Sequence, residues 1–141
     1  MFRSFMLIGV ALALTIAASC SSGPPNSSQE EQLRRRVELA WSHFSTANFD
    51  AYVAMWSARQ RPRFRESQED WQKTVGEWKL FLEREKPTHE LQNIQITGLR
   101  ARAMIKVSVL KKDGSRDYGV VYDYWVFENG DWFLDDADRS K

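Results

Sequence analysis

The sequence predicts an α+β domain in which three N-terminal helices pack on a curved, four-stranded antiparallel sheet. Three observations point there. Up to Pro87 the apolar side chains recur at helical spacing, and beyond it the period falls to two. The dipeptides Asp113-Gly114 and Asn129-Gly130 then punctuate the second half as tight hairpin turns. Of the 141 residues, about 110 lie beyond a leader and a tether, enough for one modest core and not for two domains.

The leader comes first. Arg3 is the only charge before the cysteine, residues 5–16 form a mostly apolar run, and Ala17, Ala18 and Ser19 are small. A positive start, a short apolar core and a small-residue exit describe a secretory signal over residues 1–19, since a spanning helix needs about 20 apolar residues. The exit Ala17-Ala18-Ser19-Cys20 resembles the lipobox of bacterial lipoproteins, with Ala17 where Leu is usual. That resemblance implies cleavage before Cys20 and lipidation of its sulfur, two or three acyl chains being what stable anchoring takes. An ordinary secretory signal with an incidental cysteine is the alternative. Cys20 is the only cysteine, so the chain has no internal disulfide. Residues 20–28, rich in Ser and Pro, read as the lipidated cysteine and a flexible tether, leaving 29–141 as the folded domain.

The first helix starts at Ser28, which makes a capping box with Glu31. Leu33, Val37, Ala40, Trp41 and Phe44 form its apolar stripe, Arg34, Arg35, Glu38 and Ser42 its polar face, and Asn48 closes it. A second, shorter helix runs from Asp50 as N-cap through Val53 and Trp56, with Phe49 as staple. Pro62 interrupts the pattern. Ser67 with Asp70 opens a third helix whose stripe is Trp71, Val75, Trp78 and Leu82, and Pro87 ends it.

Four strands follow, over 89–97, 101–111, 116–127 and 132–136, with Gly98 marking the first turn. On the second, Ala101, Ala103, Ile105, Val107 and Val109 share one face, while Arg100, Arg102, Lys106 and Ser108 face water. On the third, Val121, Trp125 and Phe127 take one side and Val120, Tyr122, Tyr124 and Val126 the other, so both faces look coverable.

Helices then a meander, "NFDAYVAMW" at the second helix, and "VVYDYWVFENGDWFLDD" with its Gly-x-Trp together resemble the nuclear transport factor 2-like superfamily over residues 30–138. Pilin-like and true cystatin arrangements compete, but each normally offers one helix. The resemblance implies a cone whose mouth opens between helices and sheet. It does not imply an activity, because the family holds isomerases, dehydratases and cyclases beside non-catalytic binding modules.

Asp123 is the first candidate, a carboxylate among Val121, Trp125 and Phe127 that either lines the cone as an acid or base or pairs with a cation on a neighbouring strand. His43 is a candidate base in the first helix, or a border histidine with a satisfied hydrogen bond. Nothing in the sequence distinguishes His89. The family's isomerase pattern, a first-helix tyrosine and a carboxylate near the end of the second helix, does not carry over onto Trp41, His43, Arg59 and Arg61. Its dehydratase-like His and Asp pairing requires His43 and Asp123 to converge. Arg59, Arg61, Arg63 and Arg65 alternate, and an extended segment would line them up as a cationic edge for anionic groups; a solvated loop balanced by Glu66, Glu69 and Asp70 is the plainer reading. Trp71 and Trp78 read as core residues before they read as a ligand box. Tyr122 and Tyr124, with Trp125 beside them, are candidates for a ligand contact or for a dimer or partner interface on the outer sheet face.

The 20 basic and 19 acidic residues leave an even balance once Arg3 is set aside with the leader, which argues against nucleic acid. Two isolated histidines without partner cysteines give no zinc spacing, and no cofactor motif is present. The expectation is a lipoprotein of the bacterial cell envelope, facing the periplasm from the outer membrane in a Gram-negative host, whose cone binds a small apolar ligand or a partner protein without catalysis. An isomerase-, dehydratase- or cyclase-type enzyme using Asp123 is the alternative.

Overall fold

A computed structural model of the chain describes residues 27–136. The leader, Cys20 and most of the tether lie outside the described residues, as does the C-terminal stretch from 137. Helix α1 spans Ser27–Ser45, α2 Phe49–Ala54 and α3 Gln68–Glu85, with a short 3-10 helix at Arg61–Phe64. Four strands follow: β1 Thr88–Thr97, β2 Arg100–Leu110, β3 Arg116–Glu128 and β4 Asp131–Leu134. They form one antiparallel sheet in the order β1-β2-β3-β4. The fold is the expected α+β arrangement of helices on a four-stranded meander.

Local chemistry sets the boundaries. Helix α1 takes in Ser27 and Ser28, so the tether gives way to helix slightly earlier than expected. It ends in a Schellman turn in which the Ala47 and Asn48 amides donate to the Phe44 and His43 carbonyls, with Ala47 left-handed at φ 58°. Asn48 is the cap residue of α2 and contributes no side-chain bond, and Asp50 lies inside the first turn rather than capping it. The Ser67 hydroxyl accepts from the Asp70 amide at 3.0 Å and caps α3 as its spacing implied. Asn129 and Gly130, at φ 50° and 81°, link the paired residues Glu128 and Asp131 in a two-residue turn whose handedness suits strand twist.

The core lies at one end of the sheet. Leu33, Val37 and Ala40 of α1 meet Ala101, Ala103 and Ile105 of β2, Trp125 of β3, and Trp132 and Leu134 of β4, all buried. Arg36 locks this end, donating to the Trp132 carbonyl at 2.9 Å and lying over the Phe133 ring. After α2 the chain joins the sheet. Trp56 bridges Leu134 in parallel, the Leu134 amide donates to the Met55 carbonyl, and the Ser57 amide donates to the Leu134 carbonyl.

Two expectations are corrected. Ser108 is buried rather than wet, because Thr88 Oγ1 lies 2.6 Å from its hydroxyl and Arg116 donates to it at 2.9 Å. The third strand is not covered on both faces, for its first half is exposed on each side. Tyr118 and Val120 stand out from the outer face. On the inner face Val121 remains 40% exposed. The helices do not fill the cone at that level.

Candidate functional site

The unfilled space is a cavity of about 280 Å³ open to the surface, bounded by all three helices and the sheet. Helix α1 contributes Ala40, Trp41 and Phe44; α2 contributes Tyr52, and α3 Phe81. Pro87 lies at the corner, and Val107, Val121 and Asp123 form the floor. The floor follows from register: β2 and β3 pair Ala103 with Asp123 and Ile105 with Val121, so alternate residues face inward. Asp123 is half-buried there and accepts a hydrogen bond from Trp41 Nε1 at 2.9 Å, joining α1 to β3. A carboxylate among apolar groups needs such donors to stay ionised.

Rings shape the walls. Phe44 packs against Phe49, Tyr52, Trp78 and Phe81, with centroids 5.3 to 6.3 Å apart. Trp78 also meets Tyr52 and Phe64. Burial pushes the Tyr52 phenol well above its ordinary range, and the negative charge of Asp123 pushes it the same way. Tyr52 therefore remains protonated at neutral pH and keeps its O–H donor. None of the described residues lining the cavity is basic.

His43 and Asp123 are not brought together around the cavity. His43 sits at the C-terminal end of α1, with Nδ1 3.4 Å from the Asn48 side-chain amide, and does not line the space. His89 is the histidine nearer the site. Its ring stacks on Trp41 with centroids 5.1 Å apart, and its Nε2 lies 2.8 Å from Glu38 Oε2. The sequence held a signal for this, since His89 shares its strand parity with Leu91, a residue packed against the core.

The arginine segment is not extended. Its 3-10 turn scatters the side chains, and most of them find carboxylates. Arg59 pairs with the buried Asp135 at 2.7 Å, Arg63 with Asp136 at 3.7 Å, and Arg65 with Asp50. Arg65 also lies over the Trp71 ring. Arg61 sits in the first turn of the 3-10 helix and is exposed. Trp125 is fully buried in the core and belongs to neither the cavity nor the outer face. Tyr122 and Tyr124 do lie on the outer face, opposite Met104 and Arg102, with the Arg102 guanidinium 5.0 Å from the Tyr122 ring centre. Among the described residues, no group of three His, Cys, Asp or Glu side chains gathers as a metal site would require, and no helix is long and apolar enough to cross a membrane.

No family model and no curated protein matches the sequence. Solved structures match its shape. RPA3114, a SEC-C motif containing protein from Rhodopseudomonas palustris, superposes with a TM-score of 0.54 at 11% identity, over 72% of this chain and 73% of that one. A variant of the protein designated Rd1NTF2_05 gives 0.54 at 11% identity, over 74% and 94%. Aln2 from a Streptomyces species gives 0.54 at 11%, over 78% and 88%. At that identity the likeness speaks for fold alone: this chain has an α+β fold of the nuclear transport factor 2-like type.

Proposed function

We propose that the protein is a lipid-anchored envelope protein whose cone binds a small apolar ligand. The observation that carries the binding reading is the cavity itself: an open space of about 280 Å³ walled by four aromatic side chains, with one carboxylate at its floor. Pockets of mostly apolar lining and few convergent polar groups are the usual form of small-molecule sites. The anchoring reading rests on the residues before Cys20. A partner protein or a second copy on the outer face is the second reading, favoured by the exposed Tyr118, Val120 and Tyr122.

Catalysis by Asp123 has the carboxylate's position in its favour and needs a second group for proton transfer. His43 lies away from the cavity, and among the described lining residues Tyr52 is the one that carries a hydroxyl. Native mass spectrometry of the full chain, purified gently from its own host, tests these readings together. The expected result is a small-molecule adduct on a mature chain that begins at an acylated Cys20. An unmodified Cys20 would remove the anchor, and a bare dimer would move the function to the outer face.

A further inference from the structure

We propose that the cavity selects a flat aromatic ligand, which stacks on the face of the Trp41 indole opposite His89. The proposal rests on the reading of the cone as a ligand-binding site and names the class of ligand.

Burial of apolar area has no direction and accepts any body of the right size. Rings held at set angles do not. Trp41 is held on several sides. The His89 imidazole stacks on one face of it, with centroids 5.1 Å apart and the planes 19° from parallel. The Nε1 edge donates to Asp123 at 2.9 Å, and Phe44 stands against the indole at 75°. Asp123 serves here only to fix the indole, whatever else the carboxylate touches. His89 is itself fixed, since its Nε2 lies 2.8 Å from Glu38 Oε2. Glu38 and Trp41 are three residues apart on α1, so they share a helix face, and His89 of β1 docks across both. With the imidazole on one side, an indole that lines the cavity has its second face left for a guest. A flat ring laid on that face runs parallel to Trp41 and so meets Phe44 near a right angle, the edge-to-face arrangement that aromatic pairs prefer. Phe44 is in turn braced by Tyr52 and Phe81, with centroids 5.3 and 6.3 Å away, and both of these rings also line the space. The wall stands ready before a ligand arrives, which spares the cost of ordering it. The volume, about 280 Å³, lies near the lower limit for small-molecule sites and suits a body of two fused rings.

Three alcohols of equal carbon count separate this idea from the reading beneath it: naphthylmethanol, its fully saturated counterpart decahydronaphthylmethanol, and undecanol. Each is titrated by calorimetry into the full chain at neutral pH. The saturated probes are the more apolar, so burial alone would rank them first. The naphthyl probe should instead bind at least about fivefold more tightly than either, as roughly one or two aromatic pairs provide. Trp41→Leu keeps an apolar wall without a ring to stack on, and it should bring the naphthyl affinity down to that of the saturated counterpart. The ranking of the three probes needs no variant, so it stands even where the substitution disturbs folding. A saturated probe that binds the unaltered protein as tightly as the naphthyl one would overturn the aromatic inference and leave a site for apolar bodies of any shape. Failure of all three probes to bind would overturn the small-ligand reading as well. A preference for the naphthyl probe that survives Trp41→Leu in a folded protein would overturn the stack on Trp41.

Discussion

At the end of the cone where Asn129 and Gly130 turn the chain, Trp125 and Trp132 are sealed from water by Leu33, Val37 and Leu134. At the other end Trp41, Phe44, Tyr52 and Phe81 surround open space. The sealed end takes its rings from β3 and β4 and the open end from the three helices, and the two ends differ again in what closes over them. Arg36 and Gln32 of α1 bind the backbone of the β3–β4 hairpin at the sealed end. Helix α3 covers the open end with 18 residues, none of them buried. The indole nitrogens make the same contrast. Those of Trp125 and Trp132 have no partner among the described residues, whereas Trp41 donates to Asp123. The sealed end tolerates lost hydrogen bonds to gain packing, and the open end keeps its polar groups satisfied and reachable.

The sharpest test compares one ring from each end. Trp132→Ala should cost about 3–5 kcal/mol, because the surrounding core cannot collapse around the void. Phe81→Ala, truncating a side chain that is 38% exposed, should cost under about 1 kcal/mol in the same urea titration. Similar losses would mean that the two ends are equally packed. Asp135, 3% exposed, joins the sheet to the segment after α2 through Arg59 and Gln60. Asp135→Ala should cost about 2 kcal/mol, less than for a fully buried pair because Arg59 is half exposed and can return to water. A change near zero would show that the cross-link holds nothing. One expected effect is a gain. Ala47→Gly should relieve the left-handed backbone at φ 58° and raise stability by about 1 kcal/mol.

The sequence carried most of the fold and less of the site. Period and turn chemistry are local, so the change at Pro87, the Ser67 cap and the Asn129-Gly130 turn could be read directly. The stripe of α3 gave the right face of that helix. Periodicity does not say how tightly that face is covered, and Trp71, Val75, Trp78 and Leu82 are all only half-buried. The arginine segment failed for a related reason. Alternation suggested an extended edge, but the carboxylates that take Arg59 and Arg63 lie more than 70 residues away in the chain. Strand parity placed Asp123 on the inner face beside Val121 and Trp125. It could not supply the indole of Trp41, 82 residues away, because that contact depends on how α1 crosses the sheet.

The short parallel pairing of Met55, Trp56 and Ser57 with Leu134 has a consequence for solubility. An open sheet has two edges, and each unpaired edge is a template on which another chain can add a strand. Here the chain spends three residues on closing the β4 edge with its own backbone. The other edge, β1, carries a register shift between Leu91 and Asn93, and such an irregularity spoils the straight ladder that an incoming strand requires. Copies of the chain that meet present these margins to one another. Both margins of this sheet are built to let those encounters end without fusion.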